Sequence, residues 1–385
     1  MTEKKKEYRI CSRGVWDTTV PGITFDENGV SNYARMFDNL CDTYPRGEQG
    51  KRDWEIIINK IKERGRDNKY DCIIGVSGGT DSCYLLHLAK NIYGLRPLAV
   101  NLDNGWSSDI SVKNIKKITK ALDIDLETFV IDYEEVVAVL GSYIKASLPW
   151  ADSPTDLAIK AILYKTAQRE GIQFILNGSD FRSEGKQPTS WTYSDAKQMK
   201  YLIKKFSRIK LKTYPYYTLT SLYYYGAIRG IKVFRPYYYL DYQKKTAQEF
   251  LINNYDWEYY GGHHHENIFT KFIISYWMPK KFNIDKRIIT YSAQILSGEI
   301  TRNFALEQIK NLPYDHEKME IDKHFVIKKL NFSVEEFNRY LNLPNKYYFD
   351  YPSYLPMLKK YGYFTKKISE QIFPFKPSIL FEKLQ

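Results

Sequence analysis

Cysteine is scarce in this chain. Four occur in 385 residues, Cys11, Cys41, Cys72 and Cys83, and no two stand at C-x-x-C spacing. A disulfide framework needs more thiols in closer register, so we expect a reduced, cytoplasmic protein. Long apolar runs are also missing. No stretch of about 18 apolar residues occurs, which excludes a membrane-spanning helix and predicts no membrane insertion. The first residues, Met1–Glu7, hold no apolar core and do not read as a signal peptide. Acidic residues are in deficit, 45 against 57 Lys and Arg, for a net charge of +12. Such a balance suits polyanions: a nucleotide, RNA or an anionic membrane surface.

Tyrosine, by contrast, is abundant. The 34 copies bunch at Tyr214–Tyr217, Tyr223–Tyr225, Tyr237–Tyr239, Tyr259–Tyr260 and Tyr347–Tyr348. An apolar body with a polar tip serves packing, and equally stacking on a sugar or base. The densest basic run, Ile203–Lys212, reads as a solvated helix face. The length is enough for two or three units around a full core. Apolar content of 43% and charged content of 26% are ordinary for a globular protein.

The strongest local signal is Cys72-Ile73-Ile74-Gly75-Val76-Ser77-Gly78-Gly79-Thr80-Asp81-Ser82. An apolar run of strand type feeds a glycine turn, and a helix beginning at Ser82 follows. Consecutive glycines let the backbone approach a ligand and turn its N–H groups toward one point. The helix start adds its positive end there. Ser77, Gly78, Gly79, Thr80, Asp81 and Ser82 are thus candidates to hold a polyphosphate, with Asp81 able to hold magnesium. No Lys follows the glycines, so this is not G-x-x-x-x-G-K-[ST], and it is not G-x-G-x-x-G.

Around this loop, strand and helix patterns alternate from about Asp71 to Gly178. Strands are expected at 71–76, 96–102, 126–131 and 174–176, with helices at 82–93, 109–122, 134–145 and from Ser153, as N-cap, to Glu170. This alternation implies a doubly wound α/β fold, a parallel sheet with helices on both faces. Ligands then bind beyond the carboxyl ends of the strands. Three polar loops would converge there: Ser77–Ser82 on phosphates, Asp103–Gly105 near ribose or adenine, and Asn177–Asp180 near the α-phosphate and substrate, with Gly178 close to the nucleotide. The segment 181–191 reads as a loop over the crevice. Residues 194–260 read as helical and Tyr-rich, and those from Ile268 onward as mostly helical.

Ser-Gly-Gly-x-Asp-Ser resembles the PP-loop of the ATP pyrophosphatases (adenine nucleotide alpha hydrolase-like fold). Two further segments narrow the likeness. One is Asp17–Val30. The other is Gly262-His263-His264-His265-Glu266-Asn267, followed by Pro279–Arg287 and Ser297–Arg302. With the loop, they resemble the N-acetyl sugar amidotransferases of bacterial surface-polysaccharide and lipopolysaccharide O-antigen biosynthesis, over roughly residues 8 to 312. That resemblance implies a small N-terminal ribbon (1–50), a PP-loop domain (51–262) and a mainly helical C-terminal region (263–385). It also implies adenylylation of the amide oxygen of an N-acetyl sugar, nucleotide-linked in its activated form, by ATP with Mg2+. Ammonia then displaces AMP and leaves an acetamidino group. No Cys sits in a glutaminase context, so the ammonia would come from elsewhere; the resemblance implies a separate glutaminase and an ammonia-channelling barrel subunit. A homo-oligomer is left open.

The ribbon departs from the family pattern. Where relatives carry two C-x-x-C pairs for zinc, this chain has Cys11, Gly14, Ser31 and Ala34. One thiol of four remains, and no zinc site is expected. Packing of Trp16, Ile23, Phe25 and Tyr33 would hold the ribbon instead. Adjacent histidines at 263–265 cannot all face one ion. His264 suggests phosphate binding or proton transfer, and a polar turn is the plainer alternative. Lys280, Lys281, Lys286 and Arg287 would suit a clamp on phosphates. Lys286 and Arg287 join Asp81 and His264 as catalytic candidates. Asp152, Asp180, Arg182, Glu184 and Lys186 are candidates for sugar contacts. A competing reading is a tRNA-modifying PP-loop enzyme of the lysidine-synthetase kind, which needs no cysteine pair; the amidotransferase reading expects no nucleic acid.

Overall fold

A computed structural model describes residues 7–207, 209–262 and 264–361. Met1–Lys6, Arg208 of the basic run, His263 and the last part of the C-terminal region, 362–385, lie outside the described residues. Five strands form one sheet: β1 (Cys72–Gly75), β2 (Pro97–Asp103), β3 (Leu126–Val130), β4 (Phe174–Leu176) and β5 (Lys232–Phe234), in the order β3-β2-β1-β4-β5. Every neighbouring pair is parallel, with Ile74 opposite both Ala99 and Leu176. The doubly wound α/β expectation holds. β5 is the addition: three residues inside a Tyr-rich stretch are too few to show a period.

Period-two alternation divides the core. Ile73 points into one apolar cluster with Val139, Leu140, Ile162 and Leu163 from the helices Tyr133–Lys145 and Ser153–Arg169. Cys72 and Ile74 point to the other face, against Trp54, Ile58, Leu86 and Ile115. Strands buried on both faces read as continuous apolar runs, which is why β1 was legible.

Element ends shift for local reasons. The helix after the loop starts at Thr80, not Ser82, because Gly79 takes the extended N-cap conformation (φ −75°, ψ 163°). The helix expected to be capped by Ser153 has Ser153 as its first residue and Asp152 at the N-cap. The Asp152 carboxylate instead accepts from the hydroxyls of Thr155 and Thr270. The supposed loop 181–191 contains two one-turn helices, Phe181–Glu184 and Thr189–Thr192.

The ribbon is a pair of short bridges, Ile10 to Asp17 and Phe25 to Ser31, both antiparallel. Cys11 is fully buried, and its Sγ accepts from the Ser31 N–H at 3.3 Å. Ser31 caps the helix Asn32–Thr43 through the Ala34 N–H. A Cβ on Gly14 would stand 2.7 Å from the Trp16 ring. Arg302 donates to the carbonyls of Gly14 (2.9 Å) and Cys11 (3.1 Å). Trp16, Ile23 and Tyr33 share a core with Phe269, Phe272 and Trp277, and Phe25 packs against it. From Ile268 to Lys360 the described chain is helical, in short segments. Among the described residues no helix is long and apolar enough to cross a membrane.

Candidate active site at the phosphate loop

Since β2, β1 and β4 are adjacent and parallel, the loops at 77–82, 103–105 and 177–180 leave the sheet at the same end. The first loop is held open by its neighbours. Gly78 has φ +79°, and a Cβ there would lie 2.2 Å from the Ser111 carbonyl oxygen. The indole N–H of Trp257 donates to the Gly78 carbonyl at 3.1 Å. Ser77 Oγ accepts from the Gly79 N–H and Ser82 Oγ from the Ser77 N–H, each at 3.3 Å. The Thr80 N–H donates to Tyr260 Oη at 3.3 Å, and Thr80 Oγ1 accepts from Gln248. These bonds fix the turn of amides at the helix start, with the Ser77, Gly79 and Thr80 N–H groups donating to side-chain hydroxyls.

Asp81 is anchored rather than free. Lys244 Nζ donates to its Oδ2 at 2.9 Å, Tyr242 donates to Oδ1, and Tyr237 donates to its backbone carbonyl at 2.7 Å. A Cβ on Gly178 would touch the Asp81 backbone at 3.0 Å, so β4's loop packs directly on the phosphate loop. Burial opposes the charge on Lys244, but Asp81 and Glu184 outweigh it and raise the ammonium's pKa. With both carboxylate oxygens engaged, Asp81 is not placed as an open magnesium ligand. Among the described residues no three of His, Cys, Asp or Glu are grouped to hold an ion.

Neither Lys244 nor Tyr242 stood out in the sequence. A weak signal existed: Lys244 and Lys245 open the helix Lys244–Tyr255, where a cation opposes the helix dipole.

Several charged groups share the crevice. His264, in the left-handed region at φ +59°, has Nδ1 3.6 Å from Glu266 Oε1. Burial works against the His264 cation, yet Glu266 and then Glu184 raise its pKa. Glu266 Oε1 would lie 3.4 Å from a Cβ on Gly79, which puts this carboxylate beside the loop. A bridge between Ser107 and Asn267, with Ser108 N–H donating to the Glu266 carbonyl at 2.9 Å, fixes the segment against the loop after β2. Asp180 is buried, accepts from Arg46 at 3.2 Å and from the Arg182 N–H, and burial raises it to about 6. Glu299 is raised to about 7, first by burial and then by Asp180; its Oε1 is buried without a protein partner. Glu184 is raised by burial and by Asp81. Glu266, Glu299 and Arg46 were not singled out from the sequence.

Lys286 lies over the Trp150 ring, 4.0 Å from its centre. Burial lowers it to about 8, against the pull of Asp156, Glu184 and Asp152. Asp152 is raised to about 7 by burial and by Asp156.

Other expected residues are occupied elsewhere. Arg287 is gripped by Asp285 (2.7–3.1 Å) and by the carbonyls of Gln308 and Asn311, so it staples C-terminal segments and is not a phosphate clamp. Lys281 likewise donates to the carbonyls of Leu341 and Leu343. Arg182 is buried over the Phe181 ring and donates to the carbonyls of Tyr238 (3.0 Å) and Tyr44 (2.6 Å), which leaves a packing role in place of a sugar contact. Lys186 donates to Tyr238 Oη at 2.7 Å. Asp103 accepts from the Gly105 N–H at 2.8 Å and shapes the loop after β2. The basic run borders a separate surface cavity of about 500 Å³ lined by Lys200, Ile203, Lys204, Ile209, Leu211 and Tyr216.

A parallel sheet with Ser-Gly-Gly-Thr-Asp-Ser at the carboxyl end of its central strand gives an α/β fold of the PP-loop, adenine nucleotide alpha hydrolase-like kind. Its residues 266–366 match the family model described as LPS biosynthesis protein WbpG-like, C-terminal domain. A protein of Methanocaldococcus jannaschii, described as uncharacterized protein MJ1599, is 28% identical over 139 residues, 35% of this chain and 47% of the relative. The chain thus spans about half the length of that relative. Among solved structures, the NMN synthetase from Francisella tularensis is similar at 18% identity and TM-score 0.29, covering 42% of this chain and 71% of its own. The NH3-dependent NAD synthetase from Campylobacter jejuni matches at 16% and 0.26, over 46% and 74%. The U34-tRNA thiolase NcsA from Methanococcus maripaludis matches at 14% and 0.31, over 64% and 80%.

Proposed function

We propose that this protein is an AMP-forming, ATP-dependent amidotransferase that converts the N-acetyl group of an activated sugar to an acetamidino group during lipopolysaccharide biosynthesis. One observation carries the reading. His264 and Lys286 interact with Glu184, Glu299 interacts with Asp180, and both of these carboxylates interact with Asp81 of the phosphate loop, while Glu266 Oε1 lies 3.4 Å from where a Cβ on Gly79 would stand. A nucleotide-activating loop and a saccharide-associated region would then build one crevice.

An amide carbon is a poor electrophile because its nitrogen donates into it. Transfer of AMP to the amide oxygen removes that protection and creates a leaving group. The loop amides at 77–82 would hold the departing pyrophosphate, and Lys244 would add positive charge beside it. His264, whose cation Glu266 favours, would neutralise phosphate charge. Magnesium would enter on the nucleotide's phosphates, since Asp81 is engaged. Sugar hydroxyls would find acceptors in the buried oxygens of Glu266 and Glu299. The ammonia source is a separate glutaminase with a channelling subunit, in a cytoplasmic reaction.

The test is pyrophosphate release from ATP, magnesium and ammonium across a panel of N-acetyl sugars, free and nucleotide-linked. The expected product is lighter by about one mass unit and is formed with AMP, both being lost in Asp81→Ala. AMP formation with tRNA and with no sugar would overturn the reading in favour of an RNA-modifying enzyme.

A further inference from the structure

Lys286 forms no ion pair among the described residues, although Asp156, Glu184 and Asp152 act on it from a distance. Among the described residues no carboxylate comes within 4.0 Å of its Nζ. The three acids that face it are committed elsewhere or stand off. Asp156, on the helix Ser153–Arg169, accepts from Trp150 Nε1 at 2.9 Å. Asp152 accepts from two threonine hydroxyls. Glu184, from the one-turn helix 181–184, interacts also with Asp81, His264 and Lys244. His264 faces Lys286 with like charge. On its own segment the neighbouring charges, Asp285 and Arg287, pair with each other.

What remains for Nζ is the face of Trp150. An aromatic face offsets part of an ammonium's charge, but much less than a carboxylate would in a dry site. A phosphate clamp needs a lysine that stays charged. This one is held where loss of its proton costs little, and burial lowers it to about 8.

We propose that Lys286 is the crevice's proton acceptor, taking a proton from the nitrogen nucleophile as it bonds to the activated carbon. The assignment rests on the amidotransferase reading above. In this step the lone pair of ammonia forms the C–N bond. One N–H proton moves to Lys286 Nζ. The C–O bond to AMP then breaks, its electron pair leaving on the phosphate oxygen, and the product is the amidinium. The first half of the reaction, AMP transfer with release of pyrophosphate, requires no proton acceptor at this position.

The experiment separates the halves. Sugar-dependent exchange of labelled pyrophosphate into ATP reads adenylylation, and mass spectrometry of the sugar reads nitrogen transfer. Both are followed in wild type, Lys286→Met and Lys286→Arg at constant free ammonia. The expected result is that both variants keep exchange, while transfer falls on the order of 100-fold in each. Wild-type transfer should rise with pH to a plateau above about pH 8, and that rise should vanish in both variants. Near-wild-type transfer in Lys286→Arg would overturn the proposal, since it would show that charge alone is needed. Loss of exchange in the variants would overturn it too, by placing Lys286 in the first half. Absence of sugar-dependent exchange in the wild type would overturn the amidotransferase reading, and this assignment with it.

Discussion

Lys244 Nζ meets Asp81 Oδ2 at 2.9 Å, from 163 residues further along the chain. Both side chains are largely shielded, at 15% and 19% exposure. The pair ties the helix Lys244–Tyr255 to the loop at 77–82 and, on the proposed function, would set a cation beside the polyphosphate. Removing one partner strands the other charge. Lys244→Met should therefore lower stability by about 2 kcal/mol and reduce ATP turnover on the order of 100-fold. Adding Asp81→Asn should restore much of the stability and none of the turnover. Thermal melts and pyrophosphate release distinguish the two effects, and equal recovery of both would sink the assignment.

The glycines of the loop have unequal duties. At Gly78 the backbone is left-handed, and a Cβ would collide with a backbone oxygen that cannot move aside. Gly78→Ala should cost about 1–3 kcal/mol and abolish measurable nucleotide binding. At Gly178 the contact is 3.0 Å, so Gly178→Ala should weaken ATP binding roughly tenfold with a smaller loss of stability. Calorimetric titration with a non-hydrolysable ATP analogue checks the order, and a milder effect at Gly78 than at Gly178 would contradict it.

Much of the frame was legible in the sequence, and the reasons are local. β1 and β2 are apolar runs, and the loop has a backbone that glycine and small hydroxyl residues favour. Phe174–Leu176 was placed to the residue. The site's outer ring was not legible. Tyr242 and Lys244 reach the loop through tertiary packing with at most a weak mark in the sequence, and Glu266 and Glu299 lie in segments that carry the family likeness without being marked as site residues. Arg287 and Arg182 show the converse. Each looks like a ligand cation in one dimension, and each is taken up by backbone carbonyls in three. A basic residue carries no record of which acceptor it will meet.

The ribbon should stand without metal. At its four knuckle positions the contacts are a thiol accepting from Ser31, a Ser cap, a glycine under Trp16 and a buried alanine. Treatment with a strong chelator should leave the melting temperature unchanged. Arg302→Ala, which removes the donors to Gly14 and Cys11, should cost about 1–3 kcal/mol. A chelator-induced drop, or zinc found by elemental analysis, would show that Cys11 has ligand partners after all.

The pH dependence of stability can be assigned a sign at Asp152. Burial raises this carboxyl from 3.8 to about 7 in the folded protein, and Asp156 adds to the shift. Between those values the folded state binds the proton that the unfolded chain has already released, so stability falls as pH rises through that window. The contribution is full below the unfolded value and is lost as pH passes about 7. Asn at this position carries no titrating proton and can still accept from one of the two threonines. Asp152→Asn should therefore be less stable than wild type at about pH 5, and the difference should shrink or reverse by about pH 8. Denaturant unfolding of both proteins at the two pH values measures it. A gap that widens with pH would mean that Asp152 is ionised in the fold and stabilised by a cation, His264 being one that acts on it.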